Sequence, residues 1–147
     1  MVAYVLDTPE PITVLRYVLL INAAPQSGEA ANSALRFAGT LLEMGHHIER
    51  LFFYGDGVIN ASNLTVMPQD ETNLPAAWNA LIEENGLSSV VCVSSAIRRG
   101  IVDSAEARRH ELPASSCYTS SEIGGLGQPH AALSNGDRTF GFVKDKP

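Results

Sequence analysis

The chain has 147 residues, 45% of them hydrophobic and 18% charged, a balance that fits one globular domain around a single core. Its formal net charge of -6 argues against affinity-driven nucleic-acid binding, which needs a basic footprint, although a local basic patch stays open. No apolar stretch reaches the roughly 18 uncharged residues of a membrane span, and two cysteines make no disulfide framework. Free thiols in a cytoplasmic protein are therefore the expectation.

In chain order, residues 1–14 carry Asp7, Glu10, Pro9 and Pro11 but no basic n-region or small-residue cleavage site, so they read as an irregular extension rather than a signal peptide. Residues 15–21 are apolar and partly β-branched or aromatic, a candidate first strand. After a loop with Pro25 and Gly28, the near-helical recurrence of Ala34, Leu35, Ala38, Leu41 and Leu42 predicts a helix closed by Gly45. Residues 48–54 form a second strand, whose unbroken run Leu51-Phe52-Phe53-Tyr54 suits a parallel sheet covered on both faces.

Residues 55–74 are polar and read as a long loop, a length that is uncommon unless functional. Pro75 then opens a helix that ends at Asn85-Gly86. Residues 89–93 form the third strand, and Asp103 is placed to cap a short helix. A weak fourth strand is expected within residues 118–123. The run Gly124-Gly125-Leu126-Gly127 leads into another short helix, and residues 138–143 make the last strand. Strands alternating with helices predict a single three-layer α/β/α domain, from residue 15 onward, with a mostly parallel sheet of about five strands. In such sheets, functional groups gather beyond the carboxyl ends of the strands.

Cys92 lies at such an end, where an apolar run gives way to Ser94-Ser95 and then to Arg98-Arg99. A thiol held beside positive charge and a helix start favours the thiolate, the reactive form. A core cysteine is the competing reading, because free cysteine is among the most buried residue types. Exposed arginines are ordinarily a solvated face. His46 and His47 are adjacent and point apart, while His110 and His130 are isolated, so no metal is expected. The glycine run could turn backbone N–H groups toward an anion, but it matches neither dinucleotide nor Walker patterns, and a tight turn explains it as well. No cofactor is expected.

Several segments together resemble the DsrE/TusD family. They are Leu51-Phe52-Phe53-Tyr54-Gly55-Asp56-Gly57-Val58-Ile59-Asn60, Leu64-Thr65, Pro68, Asp70-Glu71, Ala77-Trp78 and Val91-Cys92-Val93. Ala96-Ile97-Arg98-Arg99-Gly100-Ile101-Val102-Asp103, Gly125-Leu126-Gly127 and Asp137-Arg138 complete the match, which runs from about residue 17 to 142. The resemblance implies a cytoplasmic sulfur carrier that accepts sulfane sulfur as a persulfide on Cys92, with Arg98 and Arg99 supporting the anionic sulfur. It implies a TusA-like donor, a TusE-like acceptor, and a heterohexamer with TusB/TusC-like or DsrH/DsrF-like subunits. Wobble 2-thiouridine synthesis in tRNA is the expected setting, with sulfur oxidation as the alternative. The protein itself is expected to touch neither nucleic acid nor membrane.

The chain departs from the family pattern in its longer N-terminal extension, in Ser94-Ser95 where alanines are common, and in Cys117 at a usually polar position. Cys117 reads as inert rather than as a resolving thiol, because no cation or helix start flanks it. A non-catalytic assembly subunit and a small-molecule module using the glycine run are the competing classes. Rapid alkylation of native Cys92 would favour the relay over the scaffold.

Overall fold

The computed structural model describes residues 10–125 and 127–144. Residues 1–9 of the expected extension, Leu126 of the glycine run and the side chain of His130 lie outside the described residues; residues 10–15 have no regular secondary structure. The elements are β1 (Arg16–Ile21), α1 (Glu29–Glu43), β2 (His47–Phe53), a 3-10 helix (Gly55–Ala61), α2 (Leu74–Asn85), β3 (Ser89–Cys92), α3 (Val93–Arg98), α4 (Ser104–Arg109), β4 (Glu122–Gly124), α5 (Gly127–Asn135) and β5 (Arg138–Phe142).

Five strands form one sheet in the order β4-β3-β2-β1-β5, and every neighbouring pair is parallel. The chain steps outward from β1 to β4, then returns across the sheet to place β5 on the free side of β1. Right-handed crossovers put helices of the outward steps on one face and the helix of the return on the other. The packing agrees. Leu19, Ile21, Leu51, Phe53 and Val91 share a core with Ala34, Ala38, Trp78 and Ile82 of α1 and α2, whereas α5 packs on β1 and β2. Trp78 meets Phe53 edge-on at 5.4 Å between ring centroids, a favourable aromatic geometry.

Local chemistry explains the helix ends. Asn73 Oδ1 accepts from the Ala76 N–H at 3.1 Å, which satisfies one orphan donor at the start of α2. Gly86 closes that helix in the left-handed conformation, φ 59°. Asp103 Oδ1 caps α4 through the Glu106 N–H at 2.8 Å, as its sequence position predicts.

Two expectations change. The polar stretch after β2 is not wholly a loop, because its first seven residues are a 3-10 helix with Gly57, Val58, Asn60 and Ala61 buried. Asn60 is the cause: its side-chain amide donates to the carbonyls of Ala23 and Gly57, both at 2.9 Å, and so fastens the segment over the end of β1. The fourth strand lies later than expected, at Glu122–Gly124, because residues 118–121 are spent in a turn closed by the Ser121 N–H on the Tyr118 carbonyl.

His46 sits at the α1–β2 turn, where its Nδ1 accepts from the Leu15 N–H at 3.2 Å. No helix among the described residues is long and apolar enough to cross a membrane.

Candidate active site at the carboxyl end of the third strand

β3 is buried along its whole length, and Cys92 is its last residue. The backbone turns there directly into α3, so Cys92 occupies the N-cap position and Ser94 and Ser95 lie in the first helical turn. This is a consequence of composition. Val90-Val91 belongs in a covered strand, while small hydroxyl residues suit a helix start.

Cys92 keeps 5% of its surface and Cys117 keeps 3%. Burial alone pushes both thiols upward. For Cys92 that push is outweighed by the hydroxyls of Ser94 and Ser95 and by the first-turn N–H groups of the same residues, so its pKa falls below the ordinary thiol value. Ser94 Oγ stands 3.4 Å from the sulfur. The N–H groups make no close cap hydrogen bond, yet their dipoles still favour the anion. Cys117 has no such company. Burial and the Asp103 carboxylate raise it to about 11, which leaves it a neutral thiol.

The two arginines part ways. Arg99 holds Asp56 through Nε at 3.0 Å and Nη2 at 2.9 Å, and donates from Nη1 to the Ser95 carbonyl at 3.1 Å. Arg98 is exposed and makes no ion pair among the described residues. The lowered thiol thus draws on serines and backbone dipoles rather than on either guanidinium. Sequence reasoning undervalued Ser94 and Ser95, although a Ser-Ser pair one residue beyond a strand-end cysteine is itself a helix-start signal. It gave Asp56 no role, because nothing local links a residue to a partner 43 positions away.

The 3-10 helix forms the neighbouring wall. The Gly55 N–H donates to Ser95 Oγ at 3.0 Å, joining the end of β2 to α3. Gly57 must lack a side chain, since a Cβ would collide with the Ile21 carbonyl. On the other side, Cys92 lies in register with Gly124, and a Cβ on the following Gly125 would meet open space.

Two polar cavities, of about 460 and 540 Å³, lie elsewhere, among the first residues of the strands, including Ser89 and Glu122 in one and Arg16 and His47 in the other. Neither reaches Cys92. Among the described residues, no three His, Cys, Asp or Glu side chains are grouped to hold a metal ion.

An all-parallel five-stranded sheet with a polarised cysteine at a strand's carboxyl end defines an α/β protein equipped for thiol chemistry. Residues 16–142 match the DsrE/DsrF-like family. The chain is 47% identical over 122 residues to a sulfurtransferase TusD homolog of Pseudomonas aeruginosa, covering 83% of this chain and 93% of that one. It is 42% identical over 128 residues to sulfurtransferase TusD of Proteus mirabilis, covering 87% and 98%. A protein of Allochromatium vinosum named for DsrE is 43% identical with the same coverage. The solved YchN protein from E. coli shares the fold, with a TM-score of 0.71 at 22% identity over 88% of this chain and all of that one. The chain belongs to the DsrE/DsrF-like family and is a sulfurtransferase.

Proposed function

We propose that Cys92 accepts sulfane sulfur as a persulfide and passes it to a partner protein, in the service of wobble 2-thiouridine synthesis in tRNA. The observation that carries this reading is a strand-end thiol whose pKa is lowered despite burial. A thiolate is the attacking species in sulfur exchange, and a thiol at its ordinary pKa of about 8.5 is only a few per cent ionised at neutral pH.

In the first step the Cys92 thiolate attacks the terminal sulfur of the donor's R–S–SH. The new S–S bond forms as the donor's S–S bond breaks, and the donor leaves as R–S⁻. Cys92–S–SH then presents its outer sulfur to the acceptor's thiolate, which takes it and returns Cys92 as thiolate. The two steps conserve electrons, so no oxidant is needed. Arg98, exposed at the far end of the six-residue α3, supports the anion of the arriving persulfide. A TusA-like donor and a TusE-like acceptor are the partners this chemistry fits, in the cytoplasm, within an assembly of unlike DsrE-type subunits.

Identity to the Allochromatium vinosum protein is as high as to the Proteus mirabilis one, which keeps the sulfur-oxidation setting as a second reading. The test is loading with labelled sulfur from a persulfidated donor. Cys92→Ser abolishes loading while Cys117→Ser retains it. Loading that survives Cys92→Ser overturns the assignment.

A further inference from the structure

The geometry points to Arg99 and Asp56 as a latch that positions Ser95 against the Cys92 sulfur, acting through Ser95 rather than on the sulfur itself. This deepens the proposed carrier role and rests on Cys92 being the working thiol.

The contacts close into a ring. Arg99 spends one face of its guanidinium on Asp56 Oδ1, through Nε at 3.0 Å and Nη2 at 2.9 Å. Its remaining amine, Nη1, reaches back 3.1 Å to the carbonyl of Ser95, four residues earlier. Asp56 directly follows Gly55, whose N–H donates 3.0 Å to Ser95 Oγ. Ser95 is thus held twice, by its carbonyl from Arg99 and by its hydroxyl from the residue beside Asp56.

The second hold orients a proton. A hydroxyl has one donor and two acceptor sites. With the Gly55 N–H directed at the oxygen, the single Ser95 proton stays available to an acceptor, and Ser95 lies in the first turn of the helix that Cys92 opens as N-cap residue. Two of the four polar groups that favour the thiolate, a hydroxyl and a backbone N–H, belong to Ser95. Releasing the latch frees that hydroxyl to rotate toward water and lets the first turn of α3 loosen.

The ion pair is a poor stability device. Its side chains are 31% and 49% exposed, and such surface pairs contribute little to folding. Geometry rather than stability is what the pair supplies.

The test reads the pH profile of iodoacetamide alkylation at Cys92, followed peptide by peptide in the full-length protein. Arg99→Ala and Asp56→Ala each raise the midpoint by about half a unit, so that alkylation at pH 7 slows about threefold. The double variant shifts no further than either single one, as expected for one shared device. Arg99→Lys recovers only part of the effect, because a point charge cannot reproduce the fork. Melting temperatures stay within about 4 °C of the parent, which separates positioning from loss of fold.

The sign for Asp56→Ala is the discriminating result. Direct through-space charge would make loss of a carboxylate lower the thiol midpoint while loss of Arg99 raised it. A latch makes both rise. Opposite signs, additive shifts, or unchanged midpoints in folded variants overturn the proposal. Those outcomes leave sulfur loading by the parent protein intact, whereas loading that survives Cys92→Ser defeats the carrier reading and leaves the alkylation profiles interpretable.

Discussion

Burial presses upward on both thiols, and their acidities part because only Cys92 has donors that outweigh it. Cys92 meets hydroxyls and N–H dipoles, whereas Cys117 is raised first by its burial and then by the Asp103 carboxylate. Ser94→Ala therefore raises the Cys92 alkylation midpoint and slows the reaction at pH 7 several-fold, roughly twofold to tenfold for a shift of up to one unit. An unchanged pH profile would remove the Ser94 hydroxyl from the site. Cys92 drew attention in the sequence because it sits near the end of an apolar run, one residue before small polar residues begin. The arginines were only half legible. Their nearness to the cysteine in the chain suggested direct support, but a side chain's direction depends on competitors, and Asp56 takes Arg99 from across the sheet end.

Among the elements, the 3-10 helix carries the greatest gap between sequence and structure. Its polar composition reads as loop, yet it packs against α2 and α3 and seals the end of β1. Periodicity could not reveal it, since seven residues of i→i+3 structure leave no amphipathic pattern. Gly57 belongs to that difference. It looks like a turn glycine but serves a close backbone approach, at the Ile21 carbonyl. Gly57→Ala forces the segment off β1 and destabilises the fold by about 1–3 kcal/mol, the usual cost of overpacking. A urea midpoint equal to the parent's would show that the segment yields freely. The other four strands and the two long helices, by contrast, were readable to within one or two residues, because apolar runs, Pro75 and Gly86 mark their limits chemically.

For the molecule as a whole, Cys117 links stability to pH. Its folded pKa of about 11 lies well above that of an ordinary thiol, so across that window the folded chain keeps a proton that the unfolded chain releases. Stability must then fall as pH rises from about 9 toward 11, by at most roughly 2–3 kcal/mol from this group. Cys117→Ala flattens that part of the denaturation profile relative to the parent, and equal slopes in the two proteins would refute the linkage. Cys92 contributes with the opposite sign, since a lowered thiol adds stability at alkaline pH and loses it as pH falls through its folded value.

The return of β5 to β1 has a consequence for how the molecule is made. Tyr17 pairs with Arg138 and Ile21 with Phe142, so the first strand cannot gain its second neighbour until more than a hundred further residues have been synthesised. Until then β1 is a bare sheet margin, exposed to pairing with other nascent chains. Closure over so long a span also raises the entropic barrier to the last folding step. A ribosome paused before residue 138 would hold a sheet still lacking its final member.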